Sequence, residues 1–236
     1  MKNFLPLLFL FFSVFNAFAQ DEEKSLSADL SVDIVSRYIW RGINLSESPA
    51  LQPTLGLSFR NFTLGTWSSY TLSREIIQEV DLFLSYEREY LTITINNYYN
   101  TLDTLGFNGN YFDMNKATTP HVLEGMITLS GPESFPLSLT AATMFWGNDR
   151  QEDGKNFYST YLELGYPFKV QKTEIATFIG ITPTNGLYGD KFGVVNMGLS
   201  ATKSIVVTEN FSIPIKGSFM LNPQQEKVYF VISLTL

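Results

Sequence analysis

The 236 residues hold no cysteine, one histidine and 15% aromatic residues, with a formal net charge of −7. That balance excludes disulfide stabilisation, thiol catalysis and cysteine-ligated metals, and it argues against nucleic acid as a partner. A mean hydropathy of +0.02 is too polar for a bundle of membrane helices, whereas a transmembrane barrel needs only half of each strand to be apolar.

The chain begins with one charge, Lys2, an apolar run over 4–15, and then Ala17-Phe18-Ala19. A short apolar run before a small-x-small site reads as a secretory signal peptide over 1–19, since a spanning helix needs about 20 apolar residues. Neither a linker nor a composition break divides 20–236, so this stretch is expected to form one outer-membrane β-barrel domain.

Period-two alternation, the mark of a strand with one apolar face, recurs near 28–41, 50–60, 62–73, 78–87, 90–100 and 120–130. It returns near 136–146, 157–166, 173–182, 192–206, 210–221 and 226–236. Helical spacing is not kept for three turns anywhere after residue 20. The expected fold class is therefore all-β, an antiparallel up-and-down transmembrane β-barrel of about 12 strands. Tight turns at Arg60-Asn61, 87–89, 131–134, 167–172 and Glu209-Asn210 alternate with longer loops at 42–49, 101–119, 147–156 and 183–191. Short turns at one end and longer loops at the other are the outer-membrane pattern; the short connections at 74–77 and 222–225 are exceptions to it.

The final strand sets Val228, Phe230, Ile232, Leu234 and Leu236 on one face. It resembles the C-terminal signature of outer-membrane barrels, which implies the barrel-insertion machinery and outer-membrane lipids as partners, although those barrels usually finish on an aromatic residue. Aromatic residues gather at strand ends: Tyr38, Trp40, Tyr70, Tyr98, Phe145 and Trp146 at the loop end, Phe59, Phe62, Tyr86, Tyr90, Tyr166 and Phe168 at the turn end. These read as two interfacial girdles. Pro53 and Pro214 each delete a ladder donor and predict local bulges.

Parity then divides lipid from lumen. In the first segment Leu30, Val32, Ile34, Tyr38 and Trp40 share one face, leaving Asp29, Asp33, Arg37 and Arg41 on the other. Arginine on a lipid face costs roughly 2–4 kcal/mol at the midplane, so the charged face is expected to point inward. The same test selects the candidate pore-lining residues Arg37, Arg41, Glu79, Asp81, Glu124, Glu163, Lys216 and Lys227. The four basic ones fall on strands that become neighbours on closure, and the four acidic ones lie across the lumen. Two outcomes stay open: a transverse field that orients small polar solutes in a narrow channel, or a plug of lumenal salt bridges. Twelve strands enclose a backbone cylinder roughly 24 Å across. Trp67, Tyr161 and Tyr229 would narrow it, and the long connection 101–119 is the expected constriction or lid.

Other chemistry has little support. His121 sits at the loop end of its strand and faces lipid by parity, and no serine nucleophile lies among Tyr98, Tyr99, Asn100, Phe145 and Trp146 nearby. An enzyme is not expected, and no catalytic residue is assigned. Asp149, Glu152 and Asp153 lack the full spacing of a calcium loop, and without a glycine-rich phosphate loop no cofactor is expected. The alternative to a channel is a non-porous barrel that binds a ligand or partner through loops holding Asn108, Asn110, Tyr111, Phe112, Leu187 and Tyr188.

Ser36, Tyr38, Arg41 and Gly42 form an S-x-Y-x-x-R-G pattern, followed by Ile43, Ser46 and Pro49-Ala50-Leu51-Gln52. Gly65-Thr66-Trp67-Ser68-Ser69 and the acidic strand with Glu79 and Asp81 come next. Together these resemble the TorF-like porin family of the bacterial outer membrane. The resemblance implies a barrel with a pore and names no solute.

Overall fold

The computed structural model describes residues 26–73, 78–100, 109–209 and 211–236; the signal-peptide reading for 1–19 and the turn at 74–77 lie outside them. Fourteen strands follow in chain order: β1 (Ser27–Val35), β2 (Tyr38–Trp40), β3 (Ile43–Ser46), β4 (Ala50–Phe59), β5 (Phe62–Thr71), β6 (Gln78–Arg88), β7 (Leu91–Tyr99), β8 (His121–Ser130), β9 (Ser138–Gly147), β10 (Thr160–Val170), β11 (Thr173–Thr182), β12 (Gly193–Thr208), β13 (Phe211–Asn222) and β14 (Lys227–Thr235). Twelve of them close a barrel in which every neighbour is antiparallel and, β2 and β3 apart, adjacent in sequence; β2 and β3 form a separate hairpin. Closure comes from β14 on β1, with Asp33 opposite Thr235 and Val35 opposite Ser233. Leu236 and Val32 exchange backbone hydrogen bonds at 3.0 Å beyond that ladder.

The alternating residues sort as their chemistry requires. Leu30, Leu55, Leu64, Leu84, Ile95, Ile127, Leu139, Leu164, Ile179, Leu199, Phe219 and Phe230 are exposed on the outer wall. The opposite parity carries Gln52, Ser69, Asp81, Thr94, Glu124, Asn196 and Ser200, all buried. A soluble barrel would bury the first set and expose the second. Here the apolar surface is outside and the polar surface inside, which in water would leave an apolar belt of a size rare in soluble monomers.

Turn chemistry fixes the register at one end. Arg60, Glu89 and Gln171 adopt positive φ values of 55°, 52° and 55°, the left-handed geometry of two-residue hairpin turns that match strand twist. Two of these turns are tighter than expected: β6 runs to Arg88, and β10 runs through Pro167 to Val170. The expected bulges at Pro53 and Pro214 do not form. Pro53 keeps its register opposite Val32, and Pro214 lies one residue beyond the last pair that β13 makes with β14, where less of the ladder needs an N–H. The register shifts fall instead at Leu123/Glu124, Gly180/Ile181 and Val206/Thr208.

The largest departure is in the first segment. It does not run as one wall strand over 28–41: β1 stops at Val35, and the chain turns back as the β2–β3 hairpin. Arg41 and Gly42 at its tip have φ of 49° and 80°, a reversal that period-two reading passes over because Tyr-Ile-Trp continues the alternation. Tyr38 and Trp40 therefore do not join a loop-end girdle. They pack inside, Tyr38 against Trp67 of β5 at 5.4 Å and Trp40 against Tyr98 of β7 at 5.5 Å between ring centroids.

Candidate functional site in the barrel lumen

The hairpin lies across the bore near the loop end. Its tip turns toward the β12–β13 side of the wall, where the amide of Asn222, the last residue of β13, donates to the Gly42 carbonyl at 3.1 Å. A side chain at residue 42 would collide with the Val195 carbonyl of β12, so glycine is required both by the positive φ and by the close approach of two backbones. Trp40 and Ile43 pack on a buried cluster of Met144, Tyr161, Tyr188 and Val195. One nine-residue element thus touches β5, β7, β8, β9, β10, β12 and β13.

Arg41 is the centre of these contacts. Its Nη1 donates to Glu124 Oε1 at 2.5 Å, and its Nη2 to Glu124 Oε2 at 3.0 Å. This is the two-point geometry in which a guanidinium binds a carboxylate most specifically. Nη1 also donates to the Tyr188 hydroxyl at 2.5 Å, and the rings of Trp40 and Tyr161 lie 4.7 and 4.9 Å from the guanidinium carbon. Glu124 is fully buried and also accepts from Tyr98 at 2.7 Å, Tyr188 at 3.3 Å and Asn96 at 3.4 Å. Every oxygen of this buried carboxylate is therefore satisfied, the condition under which a buried ion pair is tolerated. Burial, reinforced by the Glu124 charge and opposed by Arg41, pushes the Tyr188 hydroxyl well above the ordinary phenol range, so it stays a neutral donor and acceptor within the pair.

The other residues selected by sequence are spread along this arrangement. Arg37, in the break between β1 and β2, stacks its guanidinium over the Tyr229 ring at 5.9 Å. Glu163 receives the Tyr161 hydroxyl and, at 3.5 Å, the Asn196 amide, which links it to the cage around Arg41. Asp81 accepts the Tyr99 backbone N–H at 3.2 Å. Glu79 is buried, as is Tyr38 of the hairpin. Lys216 faces the lumen toward the turn end, where it lines a cavity of about 630 Å³ with Glu133, Glu174, Ser200 and Thr202. Lys227 is exposed at the loop-end rim, opposite Asn222. The four basic residues therefore do not form one continuous wall: Arg41 has left it on the hairpin and is paired with the acidic side.

The connection 101–119 does not supply the closure in its described part. His121 is on the outward parity yet fully buried, because residues 109–120 fold over it. Its Nδ1 meets Asn97 Oδ1 at 2.9 Å, its Nε2 meets the Tyr111 carbonyl at 2.7 Å, and the Tyr99 hydroxyl donates to the Gly109 carbonyl at 2.7 Å. His121 is a tether for this loop on the outer wall. Nor do the carboxylates of the next loop converge: Asp149 accepts the backbone and hydroxyl of Ser159 at 2.8 and 2.5 Å, while Asp153 pairs with Lys155 in solvent.

A bacterial family of unknown function (Gcw_chp) matches residues 20–212. The chain belongs to that family. The match takes in the β2–β3 hairpin with its Arg41-Gly42 tip, Glu124 and the whole wall from β1 to β12, so the lumenal pair lies within the family's own sequence. No curated protein matches the chain.

Sequence reasoning placed Arg41 and Glu124 in the lumen and on opposite sides, without joining them. It assigned Tyr98 and Trp40 to a girdle and treated Tyr188 only as a loop residue. The available signal was Arg41-Gly42 itself, a tip with turn character inside a run otherwise read as strand.

Proposed function

We propose that the protein is a channel of the bacterial outer membrane for small polar solutes, in a conformation closed by its own first loop. The exposed apolar belt supports a lipid environment, and the resemblance to TorF-like porins agrees with a pore. One observation carries the reading: the bidentate Arg41–Glu124 pair holds a hairpin across the bore, while a cavity of about 630 Å³ that includes Lys216, Glu174, Ser200 and Thr202 remains at the turn end. A polar lumen crossed by one element outside the wall ladder suits a channel whose closure can be released without breaking the barrel.

The test is conductance in planar bilayers. Refolded protein is expected to rest closed, with rare openings, and deletion of 37–47 bridged by a short glycine linker is expected to give a persistent open level. Absence of channel events from the deletion variant, with a heat-modifiable folded barrel on gels, would sink the channel reading.

A further inference from the structure

A second cavity lies above the hairpin, at the loop end. It measures about 300 Å³ and is lined by Trp40, Ile43 and Leu45 of the hairpin region, by Tyr98, Val122 and Met144 of the wall, and by Glu79, Asn100, Asp149 and Leu187 among others. That volume is at the lower end of small-molecule sites, and an apolar lining with few polar groups is their usual composition. The charged groups that line it have one sign. Glu79 and Asp149 are carboxylates, and among the described residues neither lysine, arginine nor histidine lines the cavity.

The two carboxylates differ in what they still need. Asp149 is served by Ser159 through two hydrogen bonds. Glu79 is only 7% exposed, and its Oε2 has no hydrogen-bond partner among the described residues. A buried acceptor without a partner is unfavourable, and a donor from a ligand relieves that. The Tyr98 hydroxyl, whose residue also lines the cavity, is already committed to Glu124 at 2.7 Å.

We propose that this cavity binds a small organic cation, with a primary ammonium or similar donor group at Glu79 and an apolar or aromatic body between Trp40, Tyr98 and Leu187. The inference goes beyond the channel reading and does not depend on it, because the cavity exists with the hairpin in place. An anion of the same shape would meet two carboxylates and, among the described lining residues, no cation, so discrimination by charge follows from that lining.

The test is calorimetric titration of the full refolded chain in detergent with phenethylamine, which is an ammonium at neutral pH, and with 3-phenylpropionate as its anionic counterpart. Saturable binding of the amine is expected, with the carboxylate at least about tenfold weaker. Glu79→Gln keeps the size and removes the charge, and is expected to weaken the amine by about tenfold or more. Leu187→Arg, an exposed position at the mouth, adds a repelling charge without touching the buried wall and serves if the Glu79 variant does not fold. The proposal is overturned if wild type shows no saturable amine binding, if amine and carboxylate bind equally, or if a folded variant of either kind binds the amine as wild type does. Conductance is not the readout, so failure here leaves the channel reading to its own test.

Discussion

The guanidinium of Arg41 and the carboxylate of Glu124 are 83 residues apart in sequence and face each other at 2.5 and 3.0 Å inside the barrel. Arg41 comes from a hairpin tip and Glu124 from the wall, so the pair joins the lumenal hairpin to the barrel ladder. Two desolvated charges would cost several kcal/mol each if left alone. Here Tyr98, Asn96, Tyr188 and the rings of Trp40 and Tyr161 complete the set of partners. The hairpin is therefore held by an interaction that is weak only when incomplete.

Removing one member should release the hairpin and leave the wall. Breaking a buried pair costs about 3–5 kcal/mol, which would shift an equilibrium between seated and released hairpin by roughly two to four decades. The barrel ladder does not use either side chain, so the loss appears in the hairpin. Arg41→Ala and Glu124→Gln are expected to make 36–48 cleavable by proteinase K added to the loop side of proteoliposomes, with the barrel fragment intact. Protection equal to wild type in both variants would show that the pair is not the latch.

Gly42 gives a second handle on the same element. Its φ of 80° already disfavours a side chain, and the Val195 carbonyl occupies the space a Cβ would take. Gly154 has the same φ of 80° in an exposed loop with nothing near its Cβ position. Alanine at 154 carries only the backbone cost of about 1–2 kcal/mol, confined to its loop. Alanine at 42 carries the same cost and a collision, so it should unseat the hairpin. Proteolysis of the two variants compares them directly: equal patterns would mean that the close approach to β12 contributes nothing.

Much of the wall could be read because lipid-facing strands obey one rule. Ile93, Ile95, Ile127 and Leu129 alternate with polar neighbours over whole strands, and a one-residue slip would invert every face. The hairpin escaped the same rule for a physical reason. Inside a polar lumen an element can bury aromatic rings and charge together, so Tyr38 and Trp40 continue the alternation of β1 although they face the interior. The hairpin's partners Tyr98, Glu124, Tyr161 and Tyr188 come from four distant stretches, and only closure of the barrel brings them together. The loop that covers His121 was missed similarly, because parity assigns a side chain to a face and says nothing about what folds over that face.

The outward belt makes its own prediction. Ile127 is exposed on the outer wall, while the neighbouring Thr128 is on the inner parity and meets Thr140 at 2.9 Å. Ile127→Arg would place a charge in lipid at a cost of roughly 2–4 kcal/mol near the midplane, whereas Thr128→Arg would place it in the lumen with water available. Refolding yields into phosphatidylcholine vesicles, read by the gel shift of the folded form, should fall sharply for the first and little for the second. Equal yields would argue that the belt is not a lipid surface.

His121 provides the clearest contrast between a catalytic and a tethering role. Both ring nitrogens are engaged, one by Asn97 and one by the Tyr111 carbonyl, and the ring packs between Tyr99 and Tyr111 at 5.1 and 5.0 Å. No nitrogen is left to activate a nucleophile. His121→Ala removes both bonds and its two ring contacts, while the direct Tyr99–Tyr111 contact at 5.0 Å and the Tyr99–Gly109 hydrogen bond remain. Because each buried hydrogen bond contributes about 1 kcal/mol and an orphaned partner costs somewhat more, segment 109–120 should loosen on the wall. Hydrogen exchange is expected to speed up there by one to two decades, with β7 and β8 retaining their protection below the rim. Unchanged exchange over 109–120 would refute the tether.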